Sequence, residues 1–327
     1  MLLLSREDVE SLLDRDRLIE ALASAMVDLS SGAASVPLRV AATVPEREGI
    51  LAAMPGYLPS LNVLAAKLVS VFPHNTDGLP SHQAVIVAFD AETGTPLALM
   101  DGAYITATRT AAGSALATRL LARPDASVLA VLGTGVQARH HAAAIPSVRT
   151  VSEIRVAGRD RAKAEALASE LSPQLGIPTR AVADYREAQD GADIVCAATH
   201  SLEPVVHREW LSPGVHINSV GVNPEGREVD AETVRDALVV VEWRKAALAP
   251  YPSGANEITI PIREGVIDED HIHAEIGELV TLARPGRTDN AQITLYKSVG
   301  VAVQDAAAAA LVLSAARERG VGEEVEL

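Results

Sequence analysis

The sequence has few of the residues on which several common kinds of protein depend. Cys196 is the only cysteine among 327 residues, which excludes a disulfide within the chain and a cysteine-rich metal site. Aromatic residues make up 3% of the chain, so the core must consist of alanine, valine, leucine and isoleucine. No uninterrupted run of about 18 apolar residues occurs, which argues against a membrane span. The apolar start, Met1 to Leu4, is too short for a signal peptide, and we expect a cytoplasmic protein.

Positive charge is also scarce. The chain has 28 lysines and arginines against 43 aspartates and glutamates, a formal net charge of −15. A nucleic-acid backbone would be repelled by such a surface, so we expect no nucleic-acid partner. A cofactor phosphate or a substrate carboxylate would instead need a local basic pocket.

Two pairs of histidines raise the question of a metal site. His271 and His273 are separated by one residue, which is not the spacing of a helical ligand pair, and no third ligand is obvious nearby. His140 and His141 are adjacent, so their side chains point to different faces of a helix. We therefore expect no metal.

The arrangement of apolar runs predicts an α/β protein of two domains, as the length also favours. Before residue 124, short apolar runs separated by turn residues predict a mainly antiparallel sheet, with strands at 38–44, 51–57, 65–71 and 84–90. Helices are expected at 5–30, capped by Ser5 with Asp8, and at 106–121. After Pro124 strands alternate with helices, which predicts a Rossmann-type, doubly wound parallel sheet.

The elements expected in this second region are strands at 127–132, 153–157, 193–197, 216–220 and 237–241, with helices at 136–144 and 161–171. A last helix is predicted at 299–319, closed by Gly320. The alanine run 306–310 lies inside that helix, and we interpret it as a closely packed face.

A glycine-rich segment indicates a dinucleotide. Residues 133–138 read Gly-Thr-Gly-Val-Gln-Ala, follow a predicted strand and open a predicted helix, as the G-x-G-x-x-A fingerprint requires. Gly133 permits the tight turn, Gly135 lets the backbone approach the pyrophosphate, and Ala138 is small enough to pack the helix on the strand. The free N–H groups at the helix start attract phosphate. The expected cofactor contacts here are Gly133, Gly135, Val136, Gln137 and Ala138.

The end of the next strand bears on which dinucleotide is bound. It reads Gly158-Arg159-Asp160. An arginine suits the 2′-phosphate of NADP, whereas a carboxylate would hold the ribose hydroxyls of NAD. Because Arg159 comes first, NADP(H) is favoured, and Asp160 keeps NAD(H) open.

Several segments in order along the chain resemble the ornithine cyclodeaminase/mu-crystallin family. They are Lys67, residues 101–112 (DGAYITATRTAA), the Gly133 fingerprint, residues 218–221 (NSVG) and residues 293–300 (ITLYKSVG). The resemblance implies a homodimer. It also implies a substrate-binding and dimerisation domain of α+β type, residues 1–120 with 299–327, and a dinucleotide-binding Rossmann domain, residues 121–298.

The resemblance assigns the substrate carboxylate to basic residues of the first domain, which here are Arg39, Lys67 and Arg109. A guanidinium pairs with a carboxylate through two parallel hydrogen bonds. Lys67 would also donate or accept the proton at the reacting carbon's nitrogen. Arg109 lies in an otherwise apolar predicted helix, where an unpaired charge would be costly.

The resemblance also implies cofactor contacts outside the glycine loop. Ser81 and His82 match a pair on the nicotinamide side, and Thr110 matches a phosphate contact. Residues 198–200 follow a predicted strand at the edge where ligands of such sheets bind. The full set is Ser81, His82, Thr110, Ala198, Thr199, His200, Val220 and Ser298.

The chain departs from true cyclodeaminases at one position. Those enzymes carry an aspartate shortly after the Val-Gly of the loop, whereas Asn223 stands there in this chain. An amide cannot exchange protons as a carboxylate does, and Asp230 lies too far along to replace it. Asn223 remains a candidate catalytic residue, but the pattern resembles the ketimine reductase branch of the family, including Δ1-pyrroline-2-carboxylate reductases.

We therefore expect an NAD(P)H-dependent oxidoreductase of amino-acid metabolism. It would reduce α-imino acids, such as Δ1-pyrroline-2-carboxylate to L-proline, by hydride transfer to the imine carbon. An electron-poor iminium needs little beyond positioning and one proton. The alternatives are an alanine-type amino-acid dehydrogenase, an ornithine cyclodeaminase, and a small-molecule binding protein that uses NADPH as mu-crystallin does.

Overall fold

The computed structural model describes residues 1–76 and 78–326. The chain forms two compact units, one of Met1–Arg109 with Gly300–Leu327 and one of Thr110–Val299. The division therefore falls after residue 109, whereas the sequence led us to expect it after residue 120. The difference arises because a single helix, Gly102–Leu121, contributes residues to both units. The sequence pattern placed the domain boundary at the end of that helix.

The elements up to this helix are, in chain order, β1 (Leu2–Leu4), α1 (Arg6–Leu12), α2 (Arg15–Ser30), β2 (Val40–Val44), β3 (Gly49–Leu58), β4 (Val63–Val71), β5 (His82–Asp90), β6 (Pro96–Asp101) and α3 (Gly102–Leu121). The second unit continues with β7 (Val128–Leu132), α4 (Val136–Ala144), β8 (Glu153–Ala157), α5 (Arg161–Leu175), β9 (Thr179–Ala181), α6 (Tyr185–Gln189), β10 (Ile194–Ala197), β11 (His216–Ser219), α7 (Ala231–Asp236), β12 (Leu238–Val241), α8 (Arg244–Ala247), α9 (Asn256–Arg263), β13 (Ile272–Glu275), α10 (Ile276–Val280) and β14 (Thr294–Lys297). The chain then returns to the first unit with α11 (Ala302–Arg319) and β15 (Glu323–Glu324).

The long first helix expected at 5–30 is wrong, because the chain forms two helices there. Ser5 and Asp8 make the expected capping box at the start of α1. The backbone of Leu13 then becomes extended and ends α1. Asp14 starts α2 by accepting a hydrogen bond from the N–H of Arg17 at 2.8 Å. A short acidic side chain that competes for backbone N–H groups favours such a break.

The sheet of the first unit has the strand order β15-β1-β6-β5-β4-β3-β2. Strands β2 to β5 pair antiparallel as expected. Strand β6 was not predicted, and it pairs antiparallel with β5 and parallel with β1. The apolar segment at the start of the chain is therefore a strand, which the sequence pattern missed because three residues show no periodicity.

One face of this sheet carries exposed apolar side chains. Val40, Ala53, Leu68 and Val85 lie opposite one another across four adjacent strands. Val40 is 66% exposed, Leu68 40% and Val85 41%, and Leu51 on the same face is 49% exposed. An apolar row of this kind is unusual on the surface of a monomeric protein.

The opposite face is covered by α11, which packs against α2 and against β3, β4 and β5. Residues 306–309 of its alanine run are buried, as the interpretation of a closely packed face requires, and Gly320 closes the helix with a φ of 64°. None of the helices in residues 1–76 and 78–326 is long and apolar enough to cross a membrane. The cytoplasmic location stays a prediction.

The second unit contains the doubly wound parallel sheet that the sequence predicted. Its eight strands have the order β13-β12-β14-β11-β10-β7-β8-β9, and every pair is parallel. From the central strand β7 the chain moves first to β8 and β9 on one side and then to β10 and β11 on the other. The carboxyl ends of β7 and β10 therefore form a topological switch point, where ligands of such sheets bind. Strands β9, β13 and β14 were not predicted.

Candidate active site

A buried lysine and a buried aspartate meet in the first unit. Alternation along β4 places Val63, Ala65 and Lys67 on its buried face. The Lys67 Nζ lies 2.9 Å from the Oδ1 and 2.9 Å from the Oδ2 of Asp305, in the first turn of α11. Each side chain is 2% exposed. A contact across 238 residues of sequence thus joins the sheet to the last helix.

Arg109 shares the same carboxylate. Its Nε donates to the Asp305 Oδ1 at 3.0 Å, and its Nη1 donates to the Gln304 Oε1 at 2.7 Å. The Arg109 side chain is 4% exposed, so these hydrogen bonds replace those that water would make to its guanidinium. Two neighbouring residues at the start of α11 thus hold one guanidinium.

Arg39 and Arg109 both approach Gly300. The Nη2 of Arg39 donates to the carbonyl oxygen of Gly300 at 2.6 Å. Gly300 has a φ of +77°, and a Cβ there would lie 2.7 Å from the Nη2 of Arg109. A larger residue would therefore clash with the guanidinium and strain the backbone. The structure brings together the three expected carboxylate-binding residues, Arg39, Lys67 and Arg109.

The cluster changes the proton affinity of its members. Burial lowers the pKa of Lys67 to about 7, Asp305 opposes that effect, and Arg109 and Arg39 add to it. Burial alone would raise the pKa of Asp305, yet Arg109 and Lys67 hold it below its ordinary value. A lysine whose pKa lies near neutrality is suited to donate a proton and regain it.

The glycine fingerprint of the second unit joins the ends of three strands. Gly133 has a φ of +118°, and a Cβ there would lie 2.5 Å from the carbonyl oxygen of Ala198, which follows β10. A Cβ on Gly158, after β8, would lie 2.7 Å from the Cγ2 of Thr134. Only glycine permits this closeness of the three loops.

The start of α4 has room for an anion. A Cβ on Gly135 would meet no protein atom within 4 Å. Within the described residues no side chain caps this nine-residue helix, so its first N–H groups remain open to a phosphate. Ala138, in the first turn of α4, is fully buried. The residues present therefore fit a dinucleotide, and the contacts of Gly133, Gly135, Val136 and Gln137 with its pyrophosphate stay predictions.

Arg159 and Asp160 are in different situations after β8. The Oδ1 of Asp160 accepts the N–H of Lys163 at 3.2 Å and caps α5. Its carboxylate is thus used within the protein, whereas Arg159 is an exposed side chain. Which of the two residues contacts the ribose stays a prediction.

A buried carboxylate that the sequence reading did not single out ties two further loops together. Glu228 is 2% exposed. Its Oε1 accepts the N–H and the hydroxyl of Thr199, at 2.5 and 2.7 Å, and its Oε2 accepts the N–H of Gly221 at 2.7 Å and the hydroxyl of Ser219 at 3.1 Å. The loops after β10 and β11, where cofactor contacts were expected, are therefore fixed to one side chain.

Lys297 and Glu257 complete this second cluster. The Lys297 Nζ lies 2.9 Å from the Oε2 of Glu257 and donates to the carbonyl oxygen of Gly221 at 2.6 Å. Burial raises the pKa of Glu228, and Lys297 opposes the rise. Lys297 lies in the motif of residues 293–300, whereas Glu228 lies outside the motifs, and the sequence gave no sign that the two belong to one network.

Asn223 braces the same loops. Its Oδ1 accepts the N–H groups of Glu225 and Gly226, each at 2.9 Å, and its Nδ2 donates to the carbonyl oxygen of His200 at 3.3 Å. Val220 donates its N–H to the carbonyl oxygen of Ala197 at 3.0 Å. The amide thus has a clear structural use, and its catalytic role stays a prediction.

The remaining expected cofactor residues are divided between the two units. Thr110 is a buried residue of α3. Ser298, after β14, donates to the Oε1 of buried Glu242 at 2.8 Å. Ser81 and His82 lie in the first unit and contact each other at 3.1 Å through the Ser81 Oγ and the His82 Nδ1. Their roles at the cofactor stay predictions.

Asp305 is the member of the buried cluster that the sequence did not single out. It is the one charged residue between Lys297 and Arg317. Like Arg109, Asp305 is a charged residue in an apolar helix and needs a partner, so the sequence does contain a signal for it. The sequence did not show that the two charges meet, because 196 residues separate them.

The chain belongs to the ornithine cyclodeaminase/mu-crystallin family, since the model of that family matches residues 1–320. The family expected from the motifs is confirmed. Among curated proteins, the ketimine reductase mu-crystallin of Mus musculus is 38% identical over 315 residues, which are 94% of this chain and 95% of that protein.

Two solved structures share the whole fold. Δ(1)-pyrroline-2-carboxylate reductase of Thermococcus litoralis, in complex with NADH and L-proline, matches with a TM-score of 0.96 and 45% identity over 99% of this chain and 100% of that chain. An archaeal alanine dehydrogenase dimer with bound NAD matches with a TM-score of 0.93 and 33% identity over 100% of this chain and 99% of that chain. The predicted fold class is confirmed.

The Glu228 network leads to a prediction about stability. All the groups around this carboxylate are donors, so the amide of Glu228→Gln would leave a buried backbone N–H facing an NH2 group. A buried donor without an acceptor costs about 1–3 kcal/mol. We expect the free energy of unfolding, measured by urea denaturation, to fall by about that amount.

Glu225→Gln is the matched control, because Glu225 is exposed in the same loop. It should change the free energy of unfolding by less than about 0.5 kcal/mol. If Glu228→Gln were as stable as the unmodified protein, the carboxylate would not support the two loops.

Proposed function

We propose that the protein is an NAD(P)H-dependent reductase of α-imino acids that converts Δ1-pyrroline-2-carboxylate into L-proline. The observation that carries the proposal is the buried cluster of the first unit. Lys67 and Arg109 are two buried basic side chains, and Asp305 is the one carboxylate that contacts them among the described residues. In a chain of net charge −15, such a cluster is suited to attract a carboxylate anion from solution.

Arg109 and Arg39 would bind the carboxylate of the imino acid. Both guanidinium groups already converge on Gly300, and a planar guanidinium holds a carboxylate in a fixed orientation. Lys67 would donate its proton to the imine nitrogen, and its pKa of about 7 leaves the proton available near neutral pH. The proton converts the imine into an electron-poor iminium, which then needs only a correctly positioned hydride donor.

The second unit would hold the dinucleotide on the fingerprint loop, with Thr199, Val220 and neighbouring residues on the nicotinamide side. When bound, the reduced nicotinamide supplies the hydride for the imine carbon. Thr199 and Gly221 are held in place by Glu228, and Asn223 braces their loops. Asn223 would act through this loop geometry, because an amide cannot exchange protons.

The activities of two relatives support this reaction. The Thermococcus litoralis structure is a Δ(1)-pyrroline-2-carboxylate reductase with NADH and L-proline, and the mouse protein is a ketimine reductase. The archaeal alanine dehydrogenase favours a second candidate, an alanine-type dehydrogenase. Ornithine cyclodeamination fits less well, because Asn223 replaces the aspartate expected for it.

The activity is tested by mixing the protein with NADPH or NADH and Δ1-pyrroline-2-carboxylate. We expect the absorbance of the reduced cofactor to fall and L-proline to form. In Arg109→Ala, kcat/KM should fall about a hundredfold or more, because charged hydrogen bonds to the substrate are lost. The affinity for NADPH should change much less.

Other outcomes point elsewhere. Turnover of L-alanine with NAD(P) but not of the imino acid would favour the dehydrogenase, and release of ammonia from ornithine would favour the cyclodeaminase. Binding without any turnover would favour a mu-crystallin-like binding protein. If Arg109→Ala lost NADPH affinity by the same factor as kcat/KM, Arg109 would be a cofactor residue.

We further propose a preference for NADP(H), on the ground that Arg159 is exposed while Asp160 caps α5. The KM for NADPH should rise about tenfold to a hundredfold in Arg159→Ala, because hydrogen bonds to a charged phosphate are lost. The KM for NADH should stay nearly unchanged. Arg161→Ala is the control, since Arg161 pairs with Glu165 on α5. Equal effects on both cofactors would contradict the preference.

The exposed apolar row of the first unit supports a homodimer. Val40, Leu51, Leu68 and Val85 share one face of the sheet, and a second copy of the chain could bury them. The archaeal alanine dehydrogenase, whose fold this chain shares, is a dimer.

Leu51→Asp should shift the protein from dimer to monomer, because a carboxylate would have to be buried without a partner. Light scattering after size-exclusion chromatography measures the mass. Leu282→Asp is the control, since Leu282 is 84% exposed in the second unit, and it should remain a dimer. A Leu51→Asp protein that stays dimeric would place the interface elsewhere.

A further inference from the structure

We propose that Asp305 is a positioning residue of the reductase, whose buried carboxylate holds Lys67 and Arg109 side by side and provides the counter-charge of the Lys67 amine. The inference rests on the proposed function, since it concerns the proton and the anion of that reaction. Asp305 lies outside the sequence motifs by which the family was identified.

The geometry of the cluster carries the first part of the proposal. Lys67 comes from β4, Arg109 from α3 and Asp305 from α11, so three separate elements meet at one carboxylate. The Asp305 Oδ1 accepts both the Lys67 Nζ at 2.9 Å and the Arg109 Nε at 3.0 Å. A single oxygen therefore sets the separation of the two cations.

The start of α11 fixes the carboxylate itself. Gln304, the preceding residue, accepts the N–H of Val301 at 3.2 Å and the Arg109 Nη1 at 2.7 Å. Asp305 lies in the first helical turn, where the helix dipole favours a negative charge. The helix start that carries the carboxylate is thus itself bonded to Arg109 through Gln304.

The charges around Lys67 carry the second part. Asp305 faces it from α11, Arg109 from α3, and Arg39 from the segment before β2, while the Thr106 hydroxyl lies 3.4 Å from the Nζ. Burial, Arg109 and Arg39 all lower the pKa of Lys67, and Asp305 raises it. Without Asp305 the amine would be neutral at pH 7 and could not supply a proton.

The protonation of Lys67 can be measured directly, because the chain has only four lysines, Lys67, Lys163, Lys245 and Lys297. In protein labelled with 13Cε-lysine, the Lys67 signal is assigned from a Lys67→Arg variant and followed against pH without substrate. We expect a midpoint near 7 in the unmodified protein. In Asp305→Asn the midpoint should fall by about 1–3 pH units, the usual effect of losing an adjacent opposite charge.

Two variants bracket that result. Arg109→Gln should move the midpoint upward, because it removes a positive charge beside Lys67. Asp125→Asn should leave it unchanged, because Asp125 is 80% exposed and belongs to the other unit. An Asp305→Asn midpoint equal to that of the unmodified protein would overturn the proposal.

Kinetic measurements distinguish the positioning role of Asp305 from its effect on the charge of Lys67. As pH rises through about 7, kcat/KM for Δ1-pyrroline-2-carboxylate should fall, and in Asp305→Asn this fall should begin at lower pH by the same shift as the lysine midpoint. Asp305→Glu keeps the charge but moves it by one methylene, so the midpoint should stay near 7 while kcat falls about tenfold or more. Asp305→Glu with full activity would overturn the positioning role.

The two proposals can fail independently. If the unmodified protein did not reduce any imino acid, the proposed function would fail, while the lysine titration would still decide whether Asp305 sets the charge of Lys67. If Asp305→Asn does not fold, Asp305→Glu still tests the proposal through its midpoint and its kcat.

Discussion

The buried pairing of one carboxylate with two cations is the constraint on which the first unit depends. Removing charged groups from water is costly, and the cost is offset only when each charge has partners in good geometry. Asp305 supplies such partners to Lys67 and Arg109. Because it lies on the last helix, while Lys67 lies on an early strand, the ends of the chain must fold into the same unit. The N-terminal sheet alone would leave two basic side chains buried without a counter-charge.

The second unit also contains a cluster of buried charged side chains, in which carboxylates outnumber cations. Glu228 and Glu257 surround Lys297 beneath the loops that follow β10 and β11. Backbone N–H groups and hydroxyls supply the remaining hydrogen bonds to Glu228. A buried and fully bonded carboxylate is rigid, so the loops at the switch point of the sheet are held in one conformation before any ligand arrives. Rigid loops of this kind lower the entropy lost on binding.

Much of the fold could be predicted because its signals are local. The fingerprint between β7 and α4 needs only a strand, two glycines and a helix, and α4 and β8 have the bounds expected of them. The short strands β1 and β14 were missed for lack of a local pattern, and β14 even ends on a lysine. The helix expected at 5–30 was wrong because capping by Asp14 outweighs the continuous helical pattern. The family, which is a feature of the whole sequence, is confirmed by the family model and by the relatives.

The sequence by itself determined the parallel sheet and the family, and it led to the predictions of the dinucleotide loop and of the basic residues Arg39, Lys67 and Arg109. Each of these follows from neighbouring residues or from motifs in a fixed order. Only the tertiary structure decided that Asp305 is the shared partner of Lys67 and Arg109, that Asp160 caps a helix, and that Glu228 fixes two loops. Those facts depend on which side chains meet after folding, because burial and charge pairing act through space between residues that are far apart along the chain.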